Sequence, residues 1–115
     1  RRMKLPYANA AIIPPEKVKD YLLSTIHPIG RYKAAFFRSY GYEQDNWRTL
    51  ARDIRALLSL DANETTFVQQ SSFGEKYTVT GQIIGPNGRG FGLTTVWIIL
   101  SGEYAPRLVT AYPED

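Results

Sequence analysis

The residues of this chain best suited to chemistry are one histidine and a handful of fixed cations. They cluster in His27-Pro-Ile-Gly-Arg-Tyr-Lys33, which sets the single imidazole beside Arg31 and Lys33 at the approach to a helix. Imidazole exchanges protons near neutral pH, so any acid/base catalysis by this side-chain type falls to His27. A lone histidine before a helix can equally be a local hydrogen-bonding or capping residue, and both readings stand at this level. With no cysteine in the chain, thiol nucleophiles, zinc fingers and Cys-ligated iron–sulfur clusters are excluded. The carboxylates Glu43, Asp45, Asp61, Glu64, Glu75 and Glu103 are scattered, and no spacing joins them to one another or to His27 as a metal site. No metal and no cofactor is therefore expected. Gly85-Pro-Asn-Gly-Arg-Gly90 lacks the following Lys-Ser/Thr and the strand-to-helix context of a nucleotide-binding loop, and reads as a hairpin. No nucleophile elbow surrounds any Ser or Thr.

What remains is a metal-free kit: His27, the cations Lys33, Lys76, Arg89 and Arg107, and the strand hydroxyls Thr95, Thr110 and Tyr112. Such a kit suits cleavage of RNA by its own 2′-hydroxyl, because the nucleophile is then in the substrate. The protein has only to supply a base, an acid and positive charge around the phosphate.

The elements that position these groups follow from periodicity. Pro15, with Glu16 beside it, opens a short helix over 15–24, whose Val18, Tyr21 and Leu22 form a buried stripe. A turn punctuated by Pro28 and Gly30 leads into a second helix, 31–40, stopped by Gly41. Asp45-Asn46 offers a cap for a third, 46–59, with Trp47, Leu50, Ile54, Leu57 and Leu58 at helical spacing and Arg48, Arg52 and Arg55 opposite. Asp61-Ala-Asn63 ends this helical half. From Glu64 the period becomes two, predicting strands at 65–70, 76–84, 91–100 and 107–112. In the second, Tyr77, Val79 and Ile83 face one way and Lys76, Thr78, Thr80 and Gln82 the other. In the third, Thr94, Val96, Ile98 and Leu100 read as the buried row. The expected architecture is α+β: N-terminal helices, with residues 3–13 as an arm, packed on one face of a four-strand antiparallel sheet. The other face is left for a ligand, with Lys76, Thr78, Thr95 and Trp97 expected on it.

A length of 115 residues suits a single domain over 1–115, with a helical part at 15–60 and a β-meander at 64–113. The formal charge of +3 permits an anionic partner without demanding one. Arg1 and Arg2 precede Met3, which is the expected natural start. The apolar run Val96 to Leu100 is far too short to span a bilayer, and no signal-peptide pattern opens the chain, so no membrane association and a cytoplasmic location are expected.

The run His27-Pro-x-Gly-x-x-Lys33, Gly85-Pro-Asn-Gly-Arg89, Thr95-Val-Trp97 and Pro106-Arg-Leu-Val-Thr-Ala-Tyr-Pro113 resembles a bacterial domain family of formerly unknown function. Members of that family occur as short free-standing proteins and as C-terminal ends of large secreted effectors. The family in turn resembles the ribonuclease toxin group that joins barnase, EndoU, colicin and RelE-like nucleases (BECR). The resemblance implies a toxin acting as a metal-independent endoribonuclease and restrained by a small cognate antitoxin or immunity protein. It implies catalytic positions at His27, Lys33, Arg107 and Thr110, and substrate contacts at Thr95, Trp97 and Tyr112; Arg31 and Arg89 add candidate phosphate contacts. The alternative is a non-enzymatic module that binds RNA or a protein through the open sheet face.

Overall fold

Helical spacing gives way to strand alternation at Glu64, and the computed structural model, which describes residues 4–59 and 63–114, divides there. The expected start at Met3 and the stop at Asp61-Ala62 lie outside the described residues. A short helix α1 (Pro15–Lys17) runs straight into a π turn (Val18–Leu22), so the apolar stripe of 15–24 buries Val18 and Leu22 as expected. Helix α2 (Gly30–Arg38) ends where Gly41 adopts φ 97°. The Gly41 N–H donates to Arg38 O and the Tyr42 N–H to Phe37 O, the paired bonds of a glycine-stopped helix. A 3-10 turn (Gln44–Asn46) precedes α3 (Trp47–Leu57), so Asn46 stands at the expected N-cap position of α3, though without a side-chain bond to the helix. The flanking residue is Glu43, whose N–H donates to Asn46 Oδ1 at 2.7 Å; Asp45 and Asn46 lie inside the turn. Asn63 closes the far end of α3, its side-chain amide donating to Leu57 O and Leu58 O. Arg55, expected on a solvated stripe, instead holds the N-terminal arm through Ala11 O at 2.8 Å.

Strands β1 (Glu64–Ser71), β2 (Gly74–Ile84), β3 (Gly90–Leu100) and β4 (Arg107–Pro113) form one antiparallel sheet in the order β1-β2-β3-β4. The arm adds one parallel bridge outside β4: the Ile12 N–H donates to Pro106 O and the Leu108 N–H to Ile12 O. Val18, Leu22, Phe37, Tyr42, Leu50, Ile54 and Leu57 from the helical half share one core with Val79, Leu93, Trp97 and Leu108 from the sheet.

That core reverses the expected faces of β3. Tyr77 pairs with Trp97 and Val79 with Thr95, so Thr95 and Trp97 lie on the helix-covered face and are fully buried. The Trp97 indole N–H donates to Thr95 Oγ1 at 2.8 Å, and the Thr95 hydroxyl donates to Val79 O at 2.8 Å. The cause is parity. Ile84 pairs with Gly90 across the loop 85–89, so odd residues of β2 meet odd residues of β3. Thr94, Val96 and Ile98 therefore join Thr80, Thr78 and Lys76 on the face away from the helices.

Candidate active site

The chemistry gathers where α1 and α2 meet the outer rim of β4. Ser24 is buried and its Oγ accepts the N–H groups of Ile26 and His27, at 3.3 and 3.1 Å, which turns the chain sharply after α1. Gly30 then passes so close to the π turn that a Cβ there would lie 1.9 Å from Tyr21 O. Only glycine fits this approach. The approach also lays the His27 ring against the edge of Tyr21, with centroids 5.0 Å apart and planes at 77°.

His27 is a helix cap with one nitrogen to spare. Its Nδ1 accepts the N–H of Ile29 at 3.1 Å and of Gly30 at 3.0 Å, satisfying donors that α2 leaves unpaired. A nitrogen accepting two N–H bonds carries no hydrogen, so the neutral ring keeps its proton on Nε2. Nε2 is then a hydrogen-bond donor. His27 lines a cleft of about 500 Å³ with Glu16, Lys17, Asp20, Tyr21, Val109 and Thr110. Glu16 and Asp20 are four residues apart on one helical face, and the Tyr21 hydroxyl lies 3.2 Å from Thr110 Oγ1.

Lys33 reaches the same strand one residue further on. Its Nζ donates to Ala111 O at 3.2 Å and stands 5.7 Å from the centroid of the Tyr112 ring. The pairing of β3 with β4 skips Val109, since Val96 meets Thr110 while Trp97 meets Leu108. This bulge puts Arg107, Thr110 and Tyr112 on the same side of β4, opposite to Leu108 and Ala111, although Arg107 and Thr110 are an odd number of residues apart.

Of the nine candidate residues, the structure thus gathers His27, Lys33, Thr110 and Tyr112 along one rim, with Arg107 on the same strand. The Arg107 Nε is engaged by the Glu103 carboxylate at 3.2 Å, a solvent-exposed pair. Arg31 lies outside the cluster, its guanidinium over the Tyr32 ring and bonded to the Tyr32 hydroxyl at 2.9 Å. Arg89 sits at the opposite end of α2, with Nη1 3.4 Å from Ser39 O and the guanidinium over Tyr40. Nine residues of helix put that end roughly 13 Å from Gly30. Thr95 and Trp97 are on the wrong face for substrate contact. Sequence reasoning missed Glu16, Asp20 and Tyr21. The spacing of Glu16 and Asp20 was visible, but their approach to His27 comes from the crossing at Gly30. Among the described residues no group of three His, Cys, Asp or Glu could hold a metal ion.

A search of curated proteins finds no match. Among solved structures, the chain is similar to one chain of a contact-dependent growth inhibition toxin–immunity protein complex from Klebsiella pneumoniae 342, with a TM-score of 0.68 and 14% identity. The alignment covers 90% of this chain and 100% of that one, and at this identity it is a likeness of fold. No helix among the described residues is long and apolar enough to cross a membrane. The family model for a domain of unknown function, DUF6883, matches residues 4–115, and the chain belongs to that family.

Proposed function

We propose that this chain is the toxin of a bacterial toxin–immunity or toxin–antitoxin pair and acts as a metal-independent endoribonuclease. The carrying observation is the cleft at the β4 rim, lined by Glu16, Lys17, Asp20, Tyr21, His27 and Thr110, with His27 Nδ1 held by the helix and the Tyr21 and Thr110 hydroxyls 3.2 Å apart. The likeness of fold to a chain of a toxin–immunity complex supports the setting.

In this reading the RNA 2′-oxygen bonds to phosphorus as the bond to the 5′-oxygen breaks, leaving a 2′,3′-cyclic phosphate and a 5′-hydroxyl. A carboxylate of the Glu16 and Asp20 pair takes the proton from the 2′-hydroxyl. His27, with Nδ1 occupied by the helix, donates Nε2–H to a phosphoryl oxygen that gains charge in the transition state. This replaces the simpler reading of His27 as the base, which needs a bare Nε2 and a proton on Nδ1, where two N–H groups already point. Lys17 and Lys33 supply positive charge, and the Tyr21–Thr110 hydroxyls hold the phosphate and supply the nearest protein O–H to the leaving oxygen.

Incubation of the chain, freed of any partner, with total bacterial RNA in EDTA tests this. Fragments ending in 2′,3′-cyclic phosphate are expected, lost by about 10²–10⁴-fold when the acting carboxylate is removed by Asp20→Asn or Glu16→Gln. RNA left intact by the parent chain would sink metal-free cleavage and leave a binding module.

A further inference from the structure

A second cleft lies apart from the one just discussed. It measures about 640 Å³, the size of a small-ligand site, and lies among the end of the π turn, the end of α2 and the start of α3. Lys19, Arg38 and Arg48 reach it from three separate elements, and among the described residues none of the three forms an ion pair. Trp47 lines it with the Arg48 guanidinium 4.6 Å over its ring, making a broad flat wall. Gln44, whose amide nitrogen is bonded to Lys19 O, leaves its carbonyl oxygen free, and Asp45 stands beside it. Glu43 also lines the cleft, so the charges are mixed. A uniformly anionic ligand fits such a lining poorly. A nucleotide fits it well: a base with amino donors for the Asp45 carboxylate and a π face for Trp47, and phosphates for the three cations.

Thr25 lines this cleft and His27 the other, with the 86% exposed Ile26 between them in the chain. Two extended residues span at most about 7 Å. We infer that the Trp47 cleft is a nucleotide subsite, which takes a base of a single-stranded RNA whose scissile phosphate lies in the His27 cleft. The inference rests on the ribonuclease reading for the identity of the strand. It makes the substrate class an unpaired segment, because a base stacked in a duplex cannot turn into the cleft.

The chain has two tryptophans, and Trp97 is fully buried with its N–H bonded inside the core, so a ligand-induced change in emission reports Trp47. The experiment titrates the full chain with a mixed-sequence 2′-O-methyl hexanucleotide, which lacks the nucleophile and is not cut. Cleavage of unmodified RNA by the same variants is followed in parallel. The expected result is saturable quenching, lost in Trp47→Phe, with binding weakened about tenfold or more by Arg38→Ala with Arg48→Ala. Trp47→Ala should raise KM for single-stranded RNA by about tenfold with kcat within twofold. RNA that is cut while emission stays constant and the arginine variants behave like the parent would overturn the subsite and leave the ribonuclease reading intact. Quenching without cleavage supports the subsite and removes the ribonuclease reading, and neither signal overturns both. Quenching by polyglutamate in place of the oligonucleotide would overturn the subsite in favour of an acidic protein segment.

Discussion

The two ends of α2 are built alike and do different things. At each end a glycine lets another backbone come within contact that no other residue allows: Gly30 against Tyr21 O, where a Cβ would sit 1.9 Å away, and Gly85 against Tyr40 O, where it would sit 2.3 Å away. At each end side chains satisfy helix groups: His27 accepts the first N–H donors, while Asn87 and Arg89 donate to Ser39 O. Yet at the C-terminal end the Asn87 amide and the Arg89 Nη1 both hold Ser39 O, with the Arg89 guanidinium over the Tyr40 ring. At the N-terminal end the imidazole caps the helix with Nδ1, leaves Nε2 outside the cap, and lines a cleft together with carboxylates and hydroxyls. Capping therefore leaves one imidazole nitrogen over, and the cap fixes that it is Nε2.

The largest way to disturb this contrast is Gly30→Ala. Its Cβ would meet a backbone oxygen rather than a flexible side chain, so α2 must move off the π turn. A loss of about 3 kcal/mol or more in chemical denaturation is expected, together with loss of the cleft. Gly85→Ala strains the other end in the same way, and its destabilisation, also about 1–3 kcal/mol, should leave the activity of the still-folded fraction intact.

A smaller effect separates the ends by pH. Burial first, and the Asp53 carboxylate that accepts its hydroxyl, hold the Tyr42 phenol above the ordinary tyrosine range. Tyr42 belongs to the C-terminal end of α2 through its bond to Phe37 O. A raised folded value stabilises below the unfolded value, about 10, and that stability drains as pH rises beyond it. The denaturant midpoint should fall above about pH 10, and Tyr42→Phe should flatten the fall without altering RNA cleavage at neutral pH. An unchanged slope in that variant would remove Tyr42 as the cause. The smallest effect is expected from Arg89→Ala: under about 1 kcal/mol in stability, because the contact is exposed, and cleavage within twofold. A hundredfold loss there would return Arg89 to the site.

The sequence made these elements legible and their relations only partly so. Helical spacing at Trp47, Leu50, Ile54 and Leu57 and the stop at Gly41 were readable because each depends on neighbours three or four residues away. The faces of β3 were not, since Leu93, Trp97 and Ile99 on one side and Val96, Ile98 and Leu100 on the other are equally apolar. Only pairing parity with β2 decides between them, and it placed Thr95 and Trp97 in the core. The bulge at Val109 similarly put Arg107 and Thr110 on one face against simple alternation. His27 stood out by type. Its companions Glu16, Asp20 and Tyr21 did not, because a close backbone crossing at Gly30 brings them together and no local pattern announces such a crossing.

If one imidazole serves both as helix cap and, as proposed, as donor to the scissile phosphate, His27→Asn beside His27→Ala separates the two roles. An asparagine oxygen can accept the Ile29 and Gly30 N–H groups in place of Nδ1, but the side chain has no group corresponding to Nε2–H. The measurement is the denaturation midpoint of each variant together with its rate of RNA cleavage in EDTA. Asparagine is predicted to keep stability within about 0.5 kcal/mol where alanine loses about 1 kcal/mol, and both are predicted to lose about 10²–10³-fold in cleavage. An asparagine variant as stable as the parent that also cleaves RNA at the parent's rate would contradict the account and leave His27 as a cap alone.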